Sequence, residues 1–128
     1  MLISLLPCLT VSLHGGKIGS KLIGANDLDE LLIKKIISGG QTGADRAALD
    51  FAIAHGIPHG GWIPKGRKTE AGPLPAAYHL QELNAGGYSQ RTERNVLEAD
   101  GTLIISQGKL IGGSALTRRL ARKYKKPW

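Results

Sequence analysis

Ile36-Ile-Ser-Gly-Gly-Gln-Thr-Gly-Ala-Asp45 reads as the end of a buried strand, a glycine loop and the first turn of a helix. The strand begins in the short apolar run Leu31-Leu-Ile-Lys-Lys-Ile-Ile37. Such a run, stopped by Ser38 and two glycines, fits a strand better than a helix. Beyond the loop, Ala47, Ala48, Phe51, Ala52 and Ile53 make a broad apolar face over 44–55. That spacing predicts a helix. Thr42-Gly-Ala-Asp45 fits a capping box with Asp in place of Glu. Gly56 and Pro58 supply the stop. A helix opening just past a strand presents unpaired N–H groups and a positive dipole end, which favour an anion.

Working outward, 57–63 reads as a second short strand. A long irregular stretch over 64–87 follows, punctuated by Pro64, Gly66, Gly72, Pro73 and Pro75. A loop of that length in a small domain is usually functional. Residues 88–99 read as a helix, and 101–106 as another buried strand. A last helix begins near Ser114, with Leu116, Leu120 and Tyr124 forming its buried stripe. This alternation predicts an α/β, Rossmann-like three-layer domain with a mainly parallel sheet over 31–128. Residues 1–30 form an N-terminal extension in which 2–13 could be a strand or a tail. The chain stops at Lys126-Pro-Trp128, where a further strand is expected, so the domain reads as truncated at its C-terminus. An uncovered sheet edge would invite self-association, and a homo-oligomer is expected.

Composition narrows the function classes. With 128 residues, 41% hydrophobic and 21% charged, the chain fits one globular domain and is neither disordered nor membrane-spanning. One cysteine, Cys8, gives no internal disulfide and no cysteine metal cluster. The apolar start lacks a basic n-region and contains Pro7, so a cytoplasmic location is expected. The net charge of +7 collects in Arg118, Arg119, Arg122, Lys123, Lys125 and Lys126. No aromatic residues interleave with them as a base-stacking surface requires, so nucleic acid is not the expected partner.

Four constellations could carry chemistry. The first is the opening loop, with Gly39, Gly40, Gln41, Thr42, Gly43, Asp45 and Arg46. It matches neither the dinucleotide fingerprint nor the P-loop. The second, Gly108-Lys-Leu-Ile-Gly-Gly-Ser-Ala-Leu-Thr117, repeats the logic with Gly112, Gly113, Ser114 as helix cap, and Thr117. Both on one sheet edge would aim two helix ends at one anion. The third places Arg91, Thr92 and Asn95 together on a helix face, where a fork-shaped guanidinium suits phosphate. The fourth is the cationic loop with Lys65, Arg67 and Lys68, able to close over a ligand. His55, His59 and His79 lack metal-ligand spacing, and no metal site is expected.

These four segments, in this order and spacing, resemble the family named putative molybdenum carrier proteins, within the SMF/DprA–LOG (SLOG) superfamily of Rossmann-like domains. The resemblance covers about residues 34–128. It implies a ligand-binding Rossmann-like fold. It also implies a phosphate-bearing ligand, either the molybdenum cofactor (molybdopterin) or a nucleotide. One branch of the superfamily removes a base from a nucleoside monophosphate through a Pro-Gly-Gly-x-Gly-Thr-x-x-Glu motif. Laid on Gly112 and Gly113, that motif requires Gly at Ala115, Thr at Leu116 and Glu at Arg119, and all three differ. The expected function is therefore carriage of a small anionic ligand. An enzyme acting on a nucleotide-derived substrate, with Asp45 or Glu93 as acid or base, is the alternative. A nucleic-acid module stands third.

Overall fold

The computed structural model describes residues 8–13 and 33–128. Apart from residues 8–13, the N-terminal extension expected over 1–30 lies outside the described residues. The central sheet holds β1 (Cys8–Leu13), β2 (Ile33–Ser38), β3 (His59–Gly60) and β8 (Gly101–Ile104), in the order β3-β2-β1-β8. β2 and β3 are parallel, whereas β1 is antiparallel to both β2 and β8. The sheet is thus mixed rather than mainly parallel. The departure comes from β1, which pairs between β2 and β8. Because β2 and β8 both oppose β1, they run in the same direction.

The first helix, α1 (Ala44–Ala54), follows β2 directly. Its Ala48 and Ala52 pack on Ile36, with Ile57 beside them. The turn after it is glycine-dependent, since Gly56 has φ +65. The expected strand over 57–63 is two short ones, β3 and β4 (Trp62–Ile63). Gly61 divides them with φ +130, and a Cβ there would lie 2.1 Å from the Ser38 carbonyl oxygen. The chain turns at this point out of the central sheet, and β4 pairs instead with β7 (Gln81–Glu82).

The stretch 64–87 is more structured than its prolines suggest. It contains the hairpin β5 (Lys68–Thr69) and β6 (Gly72–Pro73). Leu74 and Leu80 are buried against Leu49 and Ile63. Burying four aliphatic side chains of this size is worth several kcal/mol, on the order of 1.5–3 each. A further helix, α2 (Tyr88–Glu98), leads to β8, and α3 (Gly112–Lys123) closes the fold. These two helices meet through Val96, Leu120 and Ala121, with Leu116 and Tyr124 at the margin. That is the stripe expected from the sequence. After α3 the tail lies along β8, where the Thr102 N–H donates to the Pro127 carbonyl at 2.9 Å. Between α1 and β8, Ile33, Phe51, Leu103 and Ile105 remain exposed and line an apolar groove.

Candidate functional site

Both glycine-rich helix starts open at the same edge of the sheet. The loop of residues 39–43 leaves the carboxyl end of β2 and enters α1. Residues 105–111 leave the carboxyl end of β8 and enter α3. Only β1 separates these parallel strands, so their ends stand about 10 Å apart at ordinary strand spacing. Ligands of open α/β sheets bind beyond such carboxyl ends.

The first loop is closely meshed. Ser38 is fully buried and holds it from below. Its hydroxyl donates to the Asp45 carbonyl at 2.9 Å and accepts the Gly40 N–H at 3.2 Å. Arg91 of α2 lies over Gly39, where a Cβ would come within 1.5 Å of Nη1. The same guanidinium reaches Asp45, Nη1 to Oδ2 at 3.6 Å, with both side chains nearly inaccessible. Asp45 Oδ2 also accepts the Gln41 N–H at 3.2 Å. Among the described residues, Asp45 Oδ1 and the Nε of Arg91 have no hydrogen-bond partner. Burial pushes the Asp45 carboxyl up to about 7, against the pull of Arg91 and of the Gln41 and Gly39 amides, while Glu70 adds to the rise. Desolvation thus outweighs the ion pair, as expected for a charge taken fully out of water.

The expected capping box does not form. Gly43 is the N-cap of α1 and no side chain caps it. The Thr42 hydroxyl instead donates to Glu70 at 2.6 Å. The Asp45 carboxylate instead accepts the Gln41 N–H and lies 3.6 Å from the Arg91 guanidinium. Gln41 spans from the loop to the β5–β6 hairpin, donating to the Lys68 carbonyl at 3.4 Å and accepting the Glu70 N–H at 3.1 Å. Arg46 sits over the Tyr78 ring at 4.9 Å.

The other expected residues are placed as follows. Arg67 turns its guanidinium onto the carbonyls of Leu74, Pro75, Tyr78 and Leu80, at 2.8–3.2 Å. It staples the loop that carries it. Lys65 is exposed. Thr92 is buried and donates to the Tyr88 carbonyl. Asn95, also buried, bonds both the N–H and the carbonyl of Trp62, joining α2 to β4. Arg91, Thr92 and Asn95 therefore do share an inward face, with Arg91 alone reaching the glycine loop. At the second loop α3 starts at Gly112, two residues before the expected Ser114. Ser114 donates to the Ile111 carbonyl and Thr117 to the Gly113 carbonyl. Ser114 is thus inside the first turn, not its cap. Gly108 and Gly113 have open space where a Cβ would point.

Glu93 lies apart from this edge, held by the Tyr124 hydroxyl and by Lys123 at 3.1 Å. Those two contacts, Tyr124 first, keep its carboxyl below the usual range. At the basic end of α3, Trp128 lies under Arg118 and Arg122, 5.8 and 5.9 Å from its ring. An aromatic residue thus joins those cations, contrary to the sequence reading. No group of three or more metal-capable side chains occurs among the described residues.

Residues 36–128, from within β2 through α3, match the circularly permutated YpsA SLOG family. The chain belongs to that family. It is also similar to a crystal structure from Syntrophus aciditrophicus SB, named "Putative molybdenum carrier protein", at 68% identity and a TM-score of 0.73. The match covers 74% of this chain and 60% of that one, so this chain spans less than two thirds of that relative. No curated protein matches. No helix of the described residues is long and apolar enough to cross a membrane.

Two residues of the edge escaped the sequence reading as site residues. Ser38 opens the first glycine segment in the sequence, but that its hydroxyl ties Gly40 to the Asp45 carbonyl shows only in the folded loop. Glu70 was passed over among three cations. It is the one acid between Asp50 and Glu82, which sets it apart.

Proposed function

We propose that this protein binds and carries a small phosphate-bearing ligand at the sheet edge shared by the two glycine loops. The ligand is molybdopterin or a nucleotide derivative. The observation that carries the reading is the common direction of β2 and β8, which brings two glycine-rich helix starts to one edge. Helix N-termini and glycine backbone suit a phosphate group. Gln41, Thr42 and the unpartnered Nε of Arg91 would add polar contacts. On the second loop, Gly112, Gly113, Ser114 and Thr117 line the start of α3, and Lys65 lies in the cationic loop on the same chain. The name of the crystallised relative supports the carrier reading.

Carriage is favoured over catalysis. Arg119 stands where the related hydrolases need a glutamate, and Glu93 is engaged by Tyr124 and Lys123. One observation supports an enzyme instead. Asp45 is a buried carboxyl poised near neutrality, as proton-transfer groups often are. Incubation with a nucleotide panel and analysis of products separates the two.

Calorimetric titration of the full chain with molybdopterin and with nucleoside monophosphates tests the binding reading. One ligand per chain is expected, and Gly113→Glu, which fills open space with a negative charge, should abolish it. Lys125→Ala, at the far end of α3, should leave it unchanged. A folded protein that binds neither ligand class would sink the reading.

A further inference from the structure

Two carboxylates crowd the first glycine loop. Asp45 takes the Gln41 N–H, a donor that an incoming anion would otherwise meet. Glu70 takes the Thr42 hydroxyl at the mouth of α1. A helix start offered to an anion is here already faced by two acids of the protein itself. The charged groups around Asp45 are Arg91 from α2 and Glu70 from the β5–β6 turn. Asp45 Oδ1 and Arg91 Nε, in side chains more than nine-tenths buried, are without partners among the described residues. An anion at this loop would draw on the Arg91 guanidinium and weaken its hold on Asp45. It would also set a like charge beside a carboxylate that cannot reach water. A proton on the carboxyl relieves that repulsion.

Resting on the binding reading above, we infer that anion binding at the residue 39–43 loop is coupled to proton uptake by Asp45. The protonated form is the receptor, and the ionised form repels the ligand. The carboxyl stands close enough to neutrality for the exchange to occur under physiological conditions. A ligand carried in this way is held at lower pH and released as pH rises. Protonation adds one O–H to the carboxyl, and that hydrogen can reach a ligand oxygen or a loop carbonyl, so the buried acid becomes a donor.

Sulfate is the probe, because its charge is constant across the range. The carboxyl ¹³C resonance of Asp45 is followed through a pH titration of the full chain, with and without sulfate. Amide shifts of residues 39–44 report binding. We expect sulfate to raise the Asp45 midpoint by about one unit or more, which equals a roughly tenfold loss of sulfate affinity between acid and alkaline limits. Asp45→Asn should make sulfate affinity independent of pH. If that variant does not fold, the wild-type midpoint still decides. Glu70→Gln should keep the sulfate-induced shift. Loop amides that respond to sulfate while the Asp45 midpoint stays fixed would overturn the coupling and leave the binding reading standing. A shift that vanishes in Glu70→Gln would move the effect to Glu70 and overturn it equally. Loop amides that ignore sulfate would overturn both.

Discussion

A Cβ placed on Gly39 would strike the Arg91 guanidinium at 1.5 Å, whereas one placed on Gly113 would meet nothing within 4 Å. The two glycine-rich helix starts read alike in sequence, yet their glycines answer to different demands. In the first loop the missing side chains are filled by the protein itself, by Arg91 over Gly39 and by Leu74 and Leu80 over Gly40. In the second loop the space is open. A glycine motif is thus not one kind of site. The first loop is packed at its base against a buried ion pair and exposed at Gly43, whereas the second leaves open space at Gly108 and Gly113.

This contrast can be broken most severely at Gly61, which lies against Ser38 from between β3 and β4. Gly61→Ala sets a Cβ 2.1 Å from the Ser38 carbonyl at φ +130. Backbone cannot yield cheaply, so a loss of roughly 4–5 kcal/mol is expected in urea unfolding. A value under about 1 kcal/mol would mean that the β3–β4 turn does not brace the loop.

The next effect is pH. The folded protein keeps a proton on Asp45 that the unfolded chain gives up at its ordinary value of 3.8. The Asp45 contribution is therefore fully present below about 4 and is lost as pH rises through about 7. A shift of this size corresponds to at most about 4 kcal/mol. Unfolding free energies measured from pH 4 to pH 8 should show a fall that Asp45→Asn flattens. A rise with pH over that interval, reversed in the variant, would mean that the Arg91 pair outweighs burial.

Gly39→Ala should cost about 3 kcal/mol, since it drives Arg91 away and leaves Asp45 without its counter-charge. Its Asp45 resonance should titrate higher than in the parent. An unshifted midpoint would show that Arg91 stays engaged by another route. The smallest effect belongs to Gly113→Ala, where stability should change by no more than about 0.5 kcal/mol, the usual range for open surface positions. A large loss there would erase the distinction between the loops.

Much of this was readable in advance. The junction from Ile36 to Asp45, the helices and the buried stripe of Leu116, Leu120 and Tyr124 follow from local periodicity and punctuation, which the chain carries in neighbouring residues. Arg91 and Asp45 were both picked as site residues, but not as partners. Their pairing depends on how α2 docks over the loop, and no spacing within either segment encodes that. The same limit explains Arg67. A cation in a proline-rich loop reads as solvated or ligand-facing, and only the folded loop shows four carbonyls converging on it.

By itself the sequence determined the strand–loop–helix junctions, the family and the residue types at the sheet edge, because these rest on short-range patterns. Tertiary structure alone decided that β1 enters the sheet antiparallel and that Gly61 splits a strand between two sheets. It decided, too, that an arginine and an aspartate meet over Gly39. Each of those is a contact between segments distant in the chain. Burial, which turns Asp45 from an ordinary carboxylate into one near neutrality, is a property of the packed whole.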